Sequence, residues 1–393
     1  LPELLDEAPV LQALRRDLHA HPELAFEEAR TADIIATQLT RWGIEVHRGL
    51  AKTGVVGIIK GQPGQRSIGL RADLDALPMT EHNQFAHASQ HPGKMHACGH
   101  DGHTAMLLAA AQYLAKHRDF AGTVYLVFQP AEESRGGARE MIRDGLFERF
   151  PMDAIFGIHN WPGLAAGDIA VRSGPCFASS NEFRIVVRGK GCHGAMPHLG
   201  IDPVPVACQL VQGFQTILTR NLHPTDAGVI SVSMIEAGEA TNVIPETATL
   251  RGTVRSFTTE VLDVIESRMR EMTHQLCAAF GVTAEFEFTR RYPPTINHVA
   301  EAEFVRHAMT EVLGRDHVHL FEPTMGAEDF SFYLLEKPGA YFVIGNGQGD
   351  HRLAGHGLGP CMLHNPSYDF NDALIPLGAT LWVRLVEKWF GKA

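Results

Sequence analysis

Short, continuous apolar runs separated by helix-length segments are the feature that most limits the folds open to this chain. Residues 124–128 form the clearest run, and residues 154–158 and 341–344 resemble it. A strand that is apolar along its whole length is buried on both faces, as in a parallel sheet covered by helices. Helical patterns lie between these runs, for example at residues 31–42, where Gly43 provides a stop. We therefore predict an α/β fold with a mostly parallel sheet.

The pattern changes in the middle of the chain. Its strand-like and helix-like segments follow the order βαββαβ, which is typical of a ferredoxin-like unit, at residues 183–188, 204–218, 229–235, 247–257, 261–280 and 282–289. The α/β pattern resumes after Pro293 and Pro294 and closes with a helix over residues 373–388. The prediction is a discontinuous α/β domain, residues 1–180 and 291–393, with an inserted ferredoxin-like domain, residues 181–290.

Charge and cysteine usage exclude several classes of protein. The net charge is −11, so the chain lacks the basic footprint of a protein that binds nucleic acid, and an anionic membrane is an equally poor partner. The six cysteines are sparse and show no CxxC spacing, which argues against a disulfide framework. No apolar run reaches the ~18 residues of a spanning helix. We expect a cytoplasmic protein in a reducing compartment.

Metal-ligand chemistry is concentrated in residues 96–103, whose sequence is HACGHDGH. Cysteine and histidine are ligands that zinc-like metals select. Further ligand-type groups follow the apolar runs at Glu132, Glu133 and His159, and another lies at His364. Because sites of α/β sheets form outside the carboxyl ends of strands, we predict one dinuclear metal site built from separate segments. The alternatives are structural histidines and a nucleophilic cysteine paired with a neighbouring histidine.

Eight short motifs occur in one order along nearly the whole chain. They are RADLDALP (71–78), HACGHDGH (96–103), FQPAEE (128–133), GIHN (157–160), GKGCHGAMPH (189–198), TNVIP (241–245), GAEDF (326–330) and LHNP (363–366). Taken together, they resemble the motifs of the M20 metallopeptidase superfamily. The resemblance is closest to its amidohydrolase branch, which contains hippurate hydrolases, N-acyl-amino-acid hydrolases and indole-acetyl-amino-acid hydrolases.

The resemblance implies a set of metal ligands and of residues that support them. Cys98 would bridge two divalent ions as a thiolate where most other branches have an aspartate. The implied ligands are Cys98, His100, Glu133, His159 and His364. The implied supporting residues, which orient ligands, are Asp73, Asp75, Asp101 and His103. Zn²⁺, Mn²⁺, Co²⁺ and Ni²⁺ all suit such ligands, so the metal stays open.

The resemblance also implies catalytic and substrate-binding residues. Glu132 would be the general base, which agrees with two adjacent carboxylates of which one binds metal while the other holds a water. His193 would polarise the scissile carbonyl across the interface of a homodimer or higher oligomer. Asn242 and Arg255 would bind the free carboxylate of the substrate. Residue by residue, however, His193 also fits an ordinary loop histidine and Arg255 the polar face of a half-exposed strand.

These features together predict hydrolysis of an N-acyl amino acid to a carboxylic acid and a free amino acid. The small-molecule substrate and two divalent ions would be the only ligands needed. One alternative is a dipeptidase or carboxypeptidase of the same superfamily, against which Cys98 argues. Another is a non-catalytic metal-binding protein, against which Glu132 argues, because a structural metal site needs no spare base.

Overall fold

The structure, a computed structural model, describes residues 1–352 and 354–391. Its helices are α1 (Pro2–Asp6), α2 (Ala8–Ala20), α3 (Ala29–Arg41), α4 (His100–Lys116), α5 (Glu132–Arg135), α6 (Gly137–Arg143), α7 (Leu146–Arg149), α8 (Pro203–Arg220), α9 (Thr259–Ala279), α10 (Val299–Leu313), α11 (Ser331–Glu336) and α12 (Leu374–Trp389). Its strands are β1 (Glu45–Leu50), β2 (Gly54–Lys60), β3 (Gln62–Asp73), β4 (Ala121–Gln129), β5 (Ile155–Pro162), β6 (Ile169–Val171), β7 (Gly174–Phe177), β8 (Ser180–Arg188), β9 (Cys192–His193), β10 (Gly228–Ala237), β11 (Val243–Ile244), β12 (Thr247–Ser256), β13 (Thr283–Tyr292), β14 (Thr295–Asn297), β15 (Val318–Leu320) and β16 (Gly339–Gly347).

The chain divides into two compact units. The larger unit consists of Leu1–Gly174, Ile296–Glu322 and Asp329–Ala393, and the smaller unit of Pro175–Thr295 and Pro323–Glu328. The larger unit is therefore assembled from three separate stretches of chain.

The sheet of the larger unit has the strand order β1-β2-β4-β3-β5-β16-β6-β15. Strands β4, β3, β5 and β16 are parallel to their neighbours within this central group. Pairing brings Asp73 opposite Gln129 and His159 opposite Val343. Since parallel strands end at one edge, side chains from several segments meet there. The mixed but centrally parallel sheet confirms the predicted fold class.

Helix α4 lies within the core of this unit and is buried on all sides along most of its length. Its residues from His100 to Ala111 are all buried, as expected of a helix that is apolar on every side rather than on one stripe. The strands beside it are equally buried, with Val124, Leu126 and Phe128 fully enclosed. Burial of apolar surface on this scale is a main source of stability in a unit of this size.

The smaller unit contains an antiparallel sheet in the order β10-β12-β8-β13, together with α8 and α9. Its elements follow the chain order β8, α8, β10, β12, α9, β13, so the predicted βαββαβ order is confirmed. A side chain caps the start of each helix: Asp202 accepts a hydrogen bond from the Val204 N–H and Thr258 accepts one from the Val261 N–H.

Strand β5 is longer than the apolar run that predicted it. The run ends at Ile158, but pairing with β16 continues through His159 and Asn160. His159 therefore lies inside a strand, where its side-chain direction is fixed by the pleat. Among the described residues, no helix is both long enough and apolar enough to cross a membrane.

Candidate metal centre

The carboxyl ends of three neighbouring strands supply most of the candidate site. Asp73 is the last residue of β3, Glu132 follows β4 as the first residue of α5, and His159 projects from β5. Helix α4 contributes its first residue, His100, after Gly99 turns the chain with φ 88°. Only glycine adopts this left-handed conformation without strain.

Cys98 and His159 face each other in the buried interior. The Cys98 Sγ lies 3.3 Å from the His159 Nε2. The His159 Nδ1–H donates to the Asn160 carbonyl oxygen over 2.6 Å, so the Nε2 carries the lone pair. Burial and the neighbouring His103 lower the pKa of His159 well below its ordinary value. A neutral imidazole whose second nitrogen donates to a backbone carbonyl is the state in which histidine binds metal.

His100 is fully buried and lacks hydrogen-bond partners at both ring nitrogens. Its Nε2 lies 3.6 Å from an Asp73 oxygen and its Nδ1 lies 3.3 Å from an Asp75 oxygen, in both cases without hydrogen-bond geometry. Burial lowers the pKa of His100, but the charges of Asp73 and Asp75 outweigh it and raise this pKa to about 10. Buried polar nitrogens without partners need an explanation, and a cation held among these carboxylates provides one.

Glu133 and His364 complete a second group of ligand atoms beside the first. The His364 Nε2 lies 3.0 Å from the Glu133 Oε1. His364 has a left-handed backbone, φ 59°, and its N–H donates to the Ala97 carbonyl oxygen over 2.8 Å, which fixes this loop beside Cys98. Strain of this kind often marks functional residues.

The described residues thus contain ligand atoms in adjoining groups, each with its atoms within 4.8 Å of one another. The groups are Asp73, His100, His103 and His159; Cys98, Glu133 and His364; and His100, Glu132 and Glu133. The structure brings all five sequence-derived ligand candidates into these groups. Thiolate, imidazole and carboxylate together suit borderline-soft divalent metals, so these residues fit a dinuclear site.

His103 and Asp73 form a support within the centre. The His103 Nδ1–H donates to Asp73 over 2.6 Å, and the His103 Nε2 accepts a hydrogen bond from the Asn160 backbone N–H over 2.9 Å. Both nitrogens of His103 are therefore engaged. Burial raises the pKa of Asp73, but the charges of His100, His103 and Arg71 outweigh it and hold this pKa well below its ordinary value.

Asp75 also holds the backbone of the two adjacent glutamates. Its two carboxylate oxygens accept hydrogen bonds from the N–H groups of Glu132, over 3.0 Å, and of Glu133, over 2.9 Å. The Glu132 Oε1 accepts a further bond from the Asp329 N–H over 3.3 Å. These contacts fix the directions in which the two glutamates leave the first turn of α5.

Asp101 belongs to a different buried cluster. It accepts a hydrogen bond from the His19 Nδ1 over 2.9 Å and lies 3.4 Å from an Arg15 nitrogen. Burial lowers the pKa of His19, but the charges of Asp101 and Glu81 raise it to about 10. The structure therefore places Asp101 with groups that hold α2 against α4, and not beside the ligand side chains.

The smaller unit contains the remaining candidates, of which His193 and Asn242 lie together. The Gly194 N–H donates to the Asn242 carbonyl oxygen over 2.7 Å. The Ala195 N–H donates to the His193 Nδ1 over 3.1 Å, which leaves the exposed Nε2 as the protonated nitrogen. Arg255 lies near the far end of β12, where it donates to the Val254 carbonyl oxygen, and the unit does not bring it to His193.

Several buried residues that organise the centre were not predicted from the sequence. Arg71 donates to Asp73 over 2.7 Å and to Asp329 over 3.1 Å. Gln129 donates to both carboxylate oxygens of Asp329 over 2.9 Å. A charged residue inside an otherwise apolar strand is the signal that could have identified Arg71, because arginine is almost never fully buried unless it is paired.

The chain is similar in sequence and in fold to known proteins of one family. The model of peptidase family M20/M25/M40 matches residues 69–388. The hippurate hydrolase of Campylobacter jejuni is 37% identical over 390 residues, 99% of both chains. The N-acetyl-L-cysteine deacetylase of Bacillus subtilis is 40% identical, over 93% of this chain and 84% of that protein. The solved structure of the YXEP protein of Bacillus subtilis, described as a dinuclear metal binding peptidase from the M20 family, has a TM-score of 0.84 at 32% identity and covers 98% and 99% of the two chains.

Proposed function

The chain belongs to peptidase family M20/M25/M40, and we propose that it is the metal-dependent hydrolase of an N-acyl amino acid with an apolar acyl group, such as hippurate. The observation that carries this proposal is the pairing of a ligand-rich centre with one additional buried carboxylate, Glu132. Relatives named as a hippurate hydrolase and as an N-acetyl-L-cysteine deacetylase support the same chemistry. Cleavage would give a carboxylic acid and a free amino acid.

Metal ions held by Cys98, His100, Glu133, His159 and His364 would polarise the substrate carbonyl and lower the pKa of water. Glu132 then has the task of a general base, because it lies beside the ligands and is 6% exposed. It would take a proton from the attacking water and pass that proton to the leaving nitrogen. The Asp329 N–H, bonded to the Glu132 Oε1, keeps the carboxylate oriented for both transfers.

We assign His193, Asn242 and Arg255 to substrate recognition. The exposed Nε2–H of His193 would donate to the oxygen on which negative charge develops, and such preorganised donors contribute strongly to catalysis. His193 would act in the partner subunit of a homodimer, with the smaller unit as the lid and dimerisation domain. Asn242 and Arg255 would bind the substrate carboxylate.

The metal and the compartment are also proposals. Zn²⁺, Mn²⁺, Co²⁺ and Ni²⁺ all suit the ligand set. The six cysteines are free thiols, and four of them are buried. Free thiols, one of them in the candidate centre, favour a reducing compartment such as the cytoplasm.

A substrate panel tests the function. The metal-free protein is supplied separately with Mn²⁺, Zn²⁺ or Co²⁺ and assayed against hippurate, N-acetyl amino acids and dipeptides. We expect hydrolysis of the acylated amino acids, slowed by about 10²–10⁴-fold in the matched Glu132→Gln variant. Turnover of dipeptides alone would favour a peptidase, the second candidate, which the description of the YXEP structure supports. Metal binding without turnover of any member would contradict both.

A further inference from the structure

The turn between β4 and α5 is strained at a residue that is not glycine. Ala131 has φ 56°, in the left-handed region. Its carbonyl oxygen accepts a hydrogen bond from the Gly137 N–H over 2.9 Å. The next two residues are Glu132 and Glu133, so the direction of this turn sets where both side chains go. A left-handed alanine persists only where its surroundings hold it.

Three consecutive backbone N–H groups in this turn are bonded to two carboxylates. Glu28 accepts from the Ala131 N–H over 2.8 Å. Asp75 accepts from the N–H groups of Glu132 and Glu133 over 3.0 and 2.9 Å. The first N–H groups of a helix have no partner within the helix, so the carboxylates satisfy them and fix the backbone together.

Glu28 is not itself one of the candidate metal ligands or catalytic residues. It is 0% exposed and lies just before α3, far from the ligands in sequence. Its second carboxylate oxygen accepts a hydrogen bond from the Thr53 hydroxyl over 2.6 Å. Its bonded partners are thus a hydroxyl and a backbone N–H rather than a cation. Burial of a carboxyl group is unfavourable, so Glu28 is expected to contribute little to the stability of the fold.

The charge state of Glu28 agrees with a role as an acceptor. Burial and the nearby charge of Asp75 raise the pKa of Glu28 to about 7. The carbonyl oxygen of a protonated carboxyl group still accepts a hydrogen bond, as does that of glutamine. What the turn requires is an oxygen at this place, whether or not it carries charge.

We propose that Glu28 is a positioning residue for hydrolysis, which holds the Ala131 N–H and thereby aims Glu132 and Glu133. This inference rests on the proposed function. Without the acceptor, the Ala131 N–H loses its partner and the left-handed turn loses one of its restraints. The general base and one metal ligand then move together, because both leave the same turn. A displacement of about 1 Å at reacting groups costs on the order of 10²-fold in rate.

Three variants and a control separate positioning from stability. Glu28→Ala removes the acceptor, Glu28→Asp retracts it by one methylene, and Glu28→Gln keeps an oxygen in place. The control is Asp153→Ala, because Asp153 also accepts a hydrogen bond from a backbone N–H, that of Ser67, over 2.8 Å. Neither Asp153 nor Ser67 is next to a candidate site residue in the chain.

We expect Glu28→Ala and Glu28→Asp to lower kcat by about 10- to 100-fold, with KM changed less than threefold. Glu28→Gln should restore kcat to within about threefold of wild type, and Asp153→Ala should lower the melting temperature without lowering kcat. If Glu28→Ala does not fold, Glu28→Asp retains the test. Unchanged kcat in Glu28→Asp, or equal losses in Glu28→Gln and Glu28→Asp, would overturn the proposal.

Amide hydrogen exchange supplies a readout that needs neither substrate nor metal. In the metal-free protein, the amides of residues 131–133 should exchange faster in Glu28→Ala and Glu28→Asp than in wild type, whereas Glu28→Gln and Asp153→Ala should not change them. Unchanged protection in both Glu28→Ala and Glu28→Asp would overturn the positioning role. Loss of protection in a protein whose wild type cleaves no member of the substrate panel would instead contradict the proposed function.

Discussion

At the scale of single residues, two adjacent glutamates have different surroundings. Glu132 accepts a hydrogen bond from the Asp329 N–H, whereas a Glu133 oxygen lies 3.0 Å from the His364 imidazole. Adjacent residues at the start of a helix point in directions about 100° apart. The proposed function accordingly gives the two carboxylates different roles, with Glu132 moving the proton and Glu133 binding metal.

The first prediction separates these two glutamates. Glu132→Gln should keep its bound metal but lower kcat by about 10²–10⁴-fold, because a general base is lost. Glu133→Gln should lower the metal content, because a carboxamide binds cations more weakly than a carboxylate. Metal analysis and steady-state kinetics on both purified variants measure this, and the reverse pattern would exchange the two roles.

A second prediction concerns the pH dependence of stability. The pKa of Glu28 rises on folding to about 7, so the folded state favours the protonated form. Its contribution is complete below the unfolded pKa and is lost as the pH rises through about 7. We expect the free energy of unfolding of the metal-free wild type to fall relative to Glu28→Gln by about 3 kcal/mol between pH 4 and pH 8. Urea unfolding across this range measures the difference, and a constant difference would show that Glu28 does not titrate in this way.

At the scale of elements, one glycine, Gly99, sets the direction of the first turn of α4 and so the positions of its two imidazoles. His100 and His103 lie one turn apart, with ring centroids 5.5 Å from each other. The preceding Gly99 has φ 88°, and a Cβ there would lie 2.4 Å from both the Asn160 Nδ2 and the Tyr368 hydroxyl. Asn160 and Tyr368 are themselves fully buried, so neither can move aside easily.

Gly99→Ala is accordingly the third prediction. The variant should lose metal affinity at least tenfold, because strain of about 1–3 kcal/mol adds to a clash with the residue that supports His103. Gly93→Ala is the matched control, since Gly93 has φ 78° but nothing within 4 Å of a built Cβ. Titration of the metal-free proteins with Co²⁺ compares them. Equal affinities in the two variants would rule out the clash as a cause.

The elements also show how much of the fold and of the candidate site could be predicted from the sequence. The βαββαβ order and the buried central strands were predictable, because long segments repeat a clear period. The three-residue strands β6 and β15 were not, since a period needs more residues to become visible. In the candidate metal centre, the ligand-type residues of the ordered motifs identified the side chains that lie close together. The neighbouring sequence does not distinguish Glu27, which is exposed, from Glu28, which is fully buried. Only the packing of Glu28 against Thr53 and Ala131 in the folded protein does so.

At the scale of the whole molecule, the fourth prediction is that a chelator removes activity and leaves the fold. The larger unit has an extensive apolar core, so metal should add stability rather than create structure. Circular dichroism after chelation should retain the helical signal and a cooperative, lower melting transition. Activity should return when metal is added. Full activity in a protein shown to be metal-free would contradict the metal mechanism.

The fifth prediction follows from the proposed exchange of His193 between subunits. His193→Ala and Glu132→Gln proteins should each be nearly inactive alone. After subunit exchange, about half of the dimers should be mixed, and each mixed dimer has one site that carries neither mutation. Activity should therefore recover to about one quarter of wild type. Confirmed exchange without recovery would return His193 to a role within its own subunit.

The assembly of the larger unit from three stretches of chain imposes an order on its completion during synthesis. Cys98, His100, Glu133 and His159 leave the ribosome early, whereas His364 lies in the last stretch. At ~5–20 residues per second, the roughly two hundred residues in between take on the order of 10–40 s to translate. Throughout that interval the nascent chain carries the thiol of Cys98 and the imidazoles of His100 and His159 before His364 has been made. If these residues bind metal as proposed, the thiol should be most exposed to oxidants and to competing metals during synthesis, before the fold that buries it is complete.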